Sequence, residues 1–467
     1  MNHGESNSGE QTIPLYVKAP KVYPREVSGR FSRLRVLAAW VLLGLFYVLP
    51  WVQLRGQQIV LFDLPARKFH VFGLTFWPQD FVMLAVLLAI AAVTLFFFTA
   101  LAGRLWCGYA CPQTVWTEVF LAMERMVEGP RNKRIKLDQA PWSAEKIRKK
   151  LAKQLLYISF SLWTGITFVG FFTPIRELVP ALYSFQAGGW EVFWTLFYGF
   201  ATYGNAGYLR EQVCKYMCPY ARFQSAMFDA DTLIISYDAK RGEPRGKRRR
   251  DADPKALGLG DCIDCLGCVQ VCPTGIDIRD GLQLECIACA ACIDVCDQVM
   301  DKMGYPRGLI RYTTENAMQG RPTRIVRPRV VIYALVLAAL LSLFATLLVG
   351  RPTVEVDVLR DRVTLYRLAG EFIENPYQLK LTNRTEQPRE LRIEVSGLDG
   401  LEVARPMEPI ELAPMQVVNR PLTLIAPRKD VAPGMHRVEL LVRDAASGEL
   451  LERHETRFFV PAAGAGN

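Results

Sequence analysis

The chain has 467 residues, 51% of them hydrophobic, with a mean hydropathy of +0.12 and yet 22% charged side chains. That combination excludes a disordered chain and sits badly with a single soluble globule, while it suits a membrane protein carrying polar domains. The net charge is +10, but residues 351–467 hold 16 basic and 18 acidic side chains, so the excess lies beside the apolar segments, as in cytoplasmic loops, and gives no reason to invoke nucleic acid.

Residues 1–33 read as a cytoplasmic tail bearing Lys18, Lys21, Arg25, Arg30 and Arg33. Five apolar runs follow, at 34–52, 80–102, 154–173, 190–209 and 330–349. Each has about 20 residues, the length that spans a hydrocarbon core of ~30 Å. No small-residue cleavage site follows the first run, so it reads as an anchor rather than a removed signal peptide. The fourth is the weakest, interrupted by Gly199, Gly204, Asn205 and Gly207. Loop 103–153 carries eleven Lys and Arg, against Arg55, Arg67 and Lys68 in loop 53–79 and Arg176 alone in 174–189. The N-terminus is therefore expected in the cytoplasm, and five crossings leave 350–467 outside. The expected layout is a transmembrane block over 34–209, a cytoplasmic loop over 210–329, a fifth span at 330–349 and an outer domain over 350–467.

All twelve cysteines lie between 107 and 296, in tight groups that point to metal rather than disulfides. The histidines, His3, His70, His436 and His454, stand outside every apolar run, which excludes a haem held by paired intramembrane histidines. After the second run comes Cys107-Gly-Tyr-Ala-Cys111-Pro112, and after the fourth Cys214-Lys-Tyr-Met-Cys218-Pro219, which reads as an internal repeat of span plus motif. The prolines favour a turn or the first turn of a new helix, so 113–127 and 220–230 are expected as short interfacial helices. Four soft thiolates converging at the membrane edge suit Cu(I), a further iron–sulfur centre or zinc, and a dithiol relay is equally compatible.

The loop 210–329 holds Cys262-x2-Cys265-x2-Cys268-x3-Cys272-Pro273 and Cys286-x2-Cys289-x2-Cys292-x3-Cys296. This is the bacterial two-cluster ferredoxin spacing, in which three close thiolates wrap one face of a [4Fe–4S] cube and the fourth ligand crosses over. Cys262, Cys265, Cys268 and Cys296 are assigned to one cluster, and Cys286, Cys289, Cys292 and Cys272 to the other. Zinc prefers two well-separated CxxC pairs and fits this order poorly. The Arg245–Arg250 run could dock an acidic electron donor, although basic residues beside a membrane commonly serve orientation. No GxGxxG or P-loop appears. Beyond 350, period-two runs such as Val354–Val358, Leu391–Val395 and His436–Leu440, separated by Asp399-Gly400, Pro433-Gly434 and Ser447-Gly448, predict about seven strands in a β-sandwich of immunoglobulin type.

Ser236-Tyr-Asp, Arg241-Gly-Glu-Pro-Arg-Gly246, Gly260-Asp-Cys-Ile-Asp-Cys265, Val271-Cys-Pro-Thr-Gly-Ile-Asp277, Leu284-Glu-Cys-Ile-Ala-Cys289 and Gly308-Leu-Ile-Arg-Tyr312 together resemble the cytochrome c oxidase accessory proteins of the CcoG (FixG/RdxA) type, from about residue 30 onward. The resemblance implies a multi-pass protein of the bacterial inner membrane: a five-helix bundle, a cytoplasmic two-[4Fe–4S] ferredoxin domain and a periplasmic immunoglobulin-like sandwich. It implies a cupric reductase that turns Cu(II) into Cu(I) for assembly of a cbb-type cytochrome c oxidase, with oxidase subunits, copper transport proteins and a cytoplasmic electron donor as partners. Copper is then substrate or transient ligand at Cys107, Cys111, Cys214 and Cys218. Two other functions fit the same residues, a quinol-linked electron conduit to a periplasmic reductase and a non-catalytic oxidase assembly scaffold.

Overall fold

The computed structural model describes residues 21–462 apart from 255, 362–363, 386, 406 and 430, so Lys18 and the first twenty residues of the expected tail lie outside the described residues. The chain divides into two compact units, Met1–Ser342 and Leu343–Asn467.

Among the described residues three stretches are helical, long and apolar enough to cross a membrane: Arg30–Trp51, Pro78–Ala102 and Pro328–Val349. They contain α1 (Arg30–Val48), α2 (Phe81–Ala102) and a C-terminal helix of Pro328–Val349. The five expected spans thus reduce to three by this criterion. The third run lies in a longer helix, and the fourth is a shorter one. Between α2 and them come α3 (Leu105–Tyr109), α4 (Pro112–Glu128) and α5 (Arg131–Gln139), then α6 (Ala144–Val169), α7 (Ile175–Tyr183) and α8 (Gly189–Thr202). Helix α6 starts ten residues earlier than its apolar run because Lys146, Arg148, Lys149, Lys150 and Lys153 form its first turns, and these charges dilute its hydropathy. Helix α8 ends at Thr202, where Gly204, Asn205 and Gly207 let the backbone widen into π-helical turns over Tyr203–Leu209.

Helices α6 and α8 nevertheless pair as membrane helices do. Gly165 lies directly against the Thr195 carbonyl, and a Cβ on Gly199 would sit 3.3 Å from the Ser161 carbonyl, so small residues on both sides let the backbones close up. Outward from that seam, Ile147, Leu151, Leu155, Ile158 and Leu162 form an exposed apolar stripe on α6, and Trp190, Phe193, Trp194, Phe197 and Phe200 are exposed on α8. The loop before α2 folds into a small sheet of β1 (Val60–Asp63), β2 (Lys68–Val71) and β3 (Leu74–Phe76). Gln58 ties it down, donating from Nε2 to the Val60 and Gly170 carbonyls at 2.7 Å each.

The cysteine-rich loop begins with α9 (Pro219–Ala226) and is framed by an antiparallel pair, β4 (Ile234–Tyr237) with β5 (Ile310–Thr313). Between those strands, among other short helices, lie α10 (Gly267–Val271) and α11 (Ala291–Met303).

The second unit carries more strands than the seven expected. One sheet runs β10 (Glu402–Val403), β12 (Val417–Pro427), β8 (Phe372–Asn383), β6 (Val354–Arg360), with β7 (Arg367–Ala369) on β8; the other runs β11 (Ile410–Leu412), β9 (Arg389–Ser396), β13 (Gly434–Asp444), β14 (Leu450–Val460). Alternate residues point inward. Leu379, Leu381, Leu391, Leu424, Val438, Leu440 and Phe458 form the fully buried centre of the core, as period-two reading requires. On β14, burial together with Glu355 raises the Glu452 carboxyl to about 7. A raised carboxyl opposes folding once it ionises, so this cost is absent below about pH 4.5 and complete above about 7. Glu452→Gln is therefore expected to stabilise this unit at pH 8 by about 1 kcal/mol, after allowance for solvent screening, and to be neutral at pH 4. Thermal unfolding of the two proteins at both pH values measures it.

Candidate iron–sulfur and thiol site

Each cysteine loop is bent around its middle cysteine by a matched pair of left-handed residues. In the first loop these are Asp264 (φ 49°) and Leu266 (φ 55°), flanking Cys265; in the second they are Ala288 (φ 54°) and Ala290 (φ 59°), flanking Cys289. Such conformations cost non-glycine residues on the order of 1–3 kcal/mol each, so the surrounding structure must impose them. Turns of this hand are how a backbone builds the concave N–H nest that receives anions and iron–sulfur clusters.

The structure gathers the cysteines around two cavities. An outer one is lined by Cys262, Cys265, Cys268 and Cys296 together with Tyr237, Leu266 and Arg279. An inner one is lined by Cys272, Cys286, Cys289 and Cys292, with Cys268 on the shared wall. The fourth thiol of each set thus comes from the other loop. Among the described residues no three Cys, His, Asp or Glu side chains meet closely enough to hold a single ion. The sulfurs surround spaces instead, a donor set that fits a cube with one iron at each corner thiolate. Burial pushes the Cys268, Cys286 and Cys296 thiols up to about 12 each and raises Cys289 and Cys292 as well. Raised this far, the thiols are protonated at neutral pH, so binding iron must release protons. In the outer wall Arg279 is held at 2.7 Å by Asp264 and at 2.6 Å by Asp277.

The two C-x-Y-x-C-P motifs occupy equivalent places. Cys111 caps α4 with Pro112 in its first turn, and Cys218 caps α9 with Pro219 in its first turn. The expected helices over 113–127 and 220–230 are therefore present as α4 and α9, the second shorter than expected. The repeats grip each other reciprocally. Gln113, on α4, donates to the carbonyls of Asn205 (2.9 Å) and Arg210 (3.0 Å) at the end of the α8 segment. Gln224, on α9 and fully buried, donates to the Gly103 carbonyl (2.9 Å) at the end of α2. Arg104 reaches Ala221 and Ser225 on α9, and Arg210 reaches Glu124 on α4 at 3.1 Å. This exchange brings Cys107, Cys111, Cys214 and Cys218 into one neighbourhood. Burial, then the charge of Cys111, Cys214 and Cys218 against the pull of Arg104, pushes the Cys107 thiol up to about 12. Burial and Cys111 push Cys214 to about 11. Among the described residues no three of these sulfurs close on one point.

The first motif also touches the inner cavity. A Cβ on Gly108 would lie 2.7 Å from the Ile287 carbonyl oxygen and 2.9 Å from that of Ala288, an approach only glycine permits. Cys107 packs against the cluster of Ile287, Cys289 and Val295. Tyr109 meets Tyr312 (3.3 Å), whose hydroxyl donates to the Ala288 carbonyl (2.6 Å). Arg104 donates to the Leu284 carbonyl, and Asp294, between two cluster cysteines, accepts from the N–H groups of Phe31 (3.2 Å) and Ser32 (2.7 Å) at the head of α1. Sequence reasoning missed Arg104, Gly108, Gln113, Arg210, Gln224 and Asp294. A visible signal existed for two of them, since an Arg precedes each C-x-Y-x-C-P by a few residues.

Family models match three regions: a 4Fe-4S binding domain over 84–127, a 4Fe-4S dicluster domain over 209–315, and the IG-like fold at the C-terminus of FixG over 344–461. The chain is 37% identical to the nitrogen fixation protein FixG of Rhizobium meliloti, over 98% of this chain and 96% of that one. It is 40% identical to RdxB of Cereibacter sphaeroides (96% and 98% covered) and 42% identical to RdxA of the same organism (83% and 85%). A crystal structure of a FixG-related protein from Vibrio parahaemolyticus aligns at 29% identity and TM-score 0.22, over 24% of this chain and 98% of that one.

Proposed function

The chain belongs to the FixG/RdxA/RdxB family of iron–sulfur proteins, and on that premise we propose that it is a membrane-bound cupric reductase serving assembly of a cbb-type cytochrome c oxidase. In this reading Cys262, Cys265, Cys268 and Cys296 hold an outer [4Fe–4S] cluster, and Cys272, Cys286, Cys289 and Cys292 hold an inner one. When bound, these clusters supply single electrons, which match a substrate that changes by one electron. Cys107, Cys111, Cys214 and Cys218 receive copper as substrate, two thiolates at a time or with the four drawn inward. Each Cu(II) takes one electron, originating in a cytoplasmic donor, and becomes Cu(I), the state soft thiolates favour. Gln224 accepts from the Cys107 thiol at 3.3 Å and so holds that sulfur toward the other repeat. The observation that carries the reading is the seat of Cys107 and Gly108 on the Ile287–Ala288 loop, which puts a copper-type thiol against the wall of the inner cavity.

The proposed topology keeps five crossings of the bacterial inner membrane, with the N-terminus and ferredoxin domain cytoplasmic and the sandwich periplasmic, facing oxidase subunits and copper transport proteins. Its support is the small-residue seam and apolar outer faces of α6 and α8, of which the first is masked in a hydropathy average by its basic first turns and the second is short.

Anaerobically purified protein, reduced and mixed with Cu(II), tests the function. Replacing Cys107 and Cys111, or Cys214 and Cys218, by serine is expected to remove most Cu(II) reduction while leaving about eight irons per chain. Undiminished reduction in both pair variants would overturn the copper site. One observation favours a second reading: the model matched over 84–127 is described as a 4Fe-4S binding domain, and that stretch holds Cys107 and Cys111. Four thiols in one neighbourhood would then hold a third cluster, and the iron content would be about twelve per chain, falling to about eight in either pair variant.

A further inference from the structure

The two cavities face different neighbours. Arg104, Gly108 and Tyr109 each reach the 284–288 loop of the inner cavity, Tyr109 through Tyr312. The outer cavity's loop is bonded instead to the segment 241–248. Asp261 N–H donates to the Arg241 carbonyl, Cys262 N–H to Gly242, and Gly246 N–H to the Cys262 carbonyl, at 2.9, 3.3 and 3.3 Å. Cys265 is the one exposed cysteine of the twelve, and Leu266 beside it is 45% exposed.

The segment bonded there is strongly basic, with seven Lys and Arg against one acid between 240 and 250. After a short helix that ends at Gly242 it runs on without helix or strand, and from 245 to 249 its side chains alternate between exposed and half-buried. Gly246 and Arg248 turn inward, Arg248 donating to Tyr305 Oη (3.0 Å) and the Cys262 carbonyl (3.3 Å). Arg245, Lys247 and Arg249 turn outward with Arg250. Arg245 and Arg249 have partial partners in Glu243 (3.7 Å) and Asp251 (3.3 Å), while Lys247 and Arg250 have no ion pair among the described residues. A strap used only to brace the cysteine loop would need Arg248; it would not need four further cations aimed at solvent.

We propose that the outward face of residues 245–250, with the exposed Cys265–Leu266 edge, is the docking surface for an acidic one-electron carrier protein, which delivers electrons to the outer cluster. This rests on the reading that the outer cavity holds a [4Fe–4S] cluster. Basic residues around an exposed apolar edge give such a partner steering at the rim and dry contact at the centre. One electron passes per encounter: the carrier is oxidised by one electron and the outer cluster reduced by one. If the carrier is a flavodoxin, its anionic hydroquinone leaves as the neutral semiquinone, one electron lost and no proton exchanged.

The test uses full-length holoprotein in nanodiscs of neutral lipid and follows cluster bleaching in stopped flow. Reductants are dithionite and, as the probe, a fully reduced acidic flavodoxin. The variant carries Arg245→Gln, Lys247→Gln, Arg249→Gln and Arg250→Gln, with Arg248 kept. Its second-order rate constant with flavodoxin at low salt is expected to fall at least about tenfold, and its salt dependence to flatten. Its visible spectrum and dithionite rate are expected to stay unchanged. An unchanged flavodoxin rate and salt slope would overturn the docking surface. So would a fall seen only in anionic nanodiscs, which would make the strap a membrane contact. Absence of any bleachable chromophore in the parent protein would instead remove the cluster reading itself.

Discussion

Gly108→Val is expected to leave the iron content intact and to slow Cu(II) reduction by about a hundredfold, the scale of loss that follows a misplacement of order 1 Å between reacting partners. At Gly108 a Cβ would stand 2.7, 2.9 and 3.0 Å from the Ile287 oxygen, the Ala288 oxygen and the Ala288 carbonyl carbon. All three are backbone atoms of a loop already fixed by two left-handed residues, so the loop cannot give way as a flexible side chain would. Helix α3 must retreat, and Cys107 and Tyr109 retreat with it. The cluster thiols lie on their own loops and should keep their metal. Gly44→Ala is the matched control, because a Cβ there meets nothing within 4 Å, and it should reduce copper at the parent rate. Iron analysis and low-temperature electron paramagnetic resonance check the first half of the expectation, and single-turnover copper reduction the second. Parent-like reduction by Gly108→Val would mean that electrons do not cross at this contact.

Local periodicity made much of the fold legible. Alternation along Val354–Val358 and His436–Leu440 marks β6 and β13 without any knowledge of partners, and two runs of C-x2-C-x2-C-x3-C, the first followed by Pro273 and the second by Asp297, mark the two cysteine loops. Two features were hidden because they depend on residues far apart. A hydropathy average treats Lys146, Lys150 and Lys153 as exposed charge, yet Lys150 and Lys153 reach Glu128 at 2.9 and 2.8 Å on the inner face of α6. The outward stripe of the same turns is apolar, so the helix is longer and more lipid-compatible than its composition suggests. The mutual grip of the two C-x-Y-x-C-P repeats was hidden for the same reason. Gln113 and Gln224 stand at different distances from their motifs, and each makes sense only against a carbonyl about a hundred residues away.

Glu124→Gln is expected to cost about 3–5 kcal/mol of stability, the usual penalty for removing one partner from a buried ion cluster, and a large share of a typical folding margin. The Glu124 side chain is 1% exposed. Its Oε2 accepts from Arg134 (2.9 Å) and Arg210 (3.1 Å), and Oε1 lies 3.5 Å from Lys153. Arg134 is as buried as Glu124 and has no second carboxylate among the described residues. A neutral amide would strand it and Arg210 in a low dielectric. Burial alone would raise the Glu124 carboxyl, but Arg210, Lys153, Lys21 and Arg134 hold it down to about 2. Because the folded value is depressed, its stabilisation is complete above about pH 4.5 and is lost as pH falls toward 2. The variant should therefore show a shallower acid limb as well as a lower plateau at pH 7. Damage should also reach the thiol site, since Arg210 donates to the Gly207 carbonyl and its own carbonyl is the anchor for Gln113. Adding Arg134→Met should recover part of the loss by removing the most buried stranded cation. Denaturant unfolding in detergent, repeated between pH 7 and pH 3, measures all of this. A single variant that unfolds within about 1 kcal/mol of the parent would show that water already reaches the cluster and screens it.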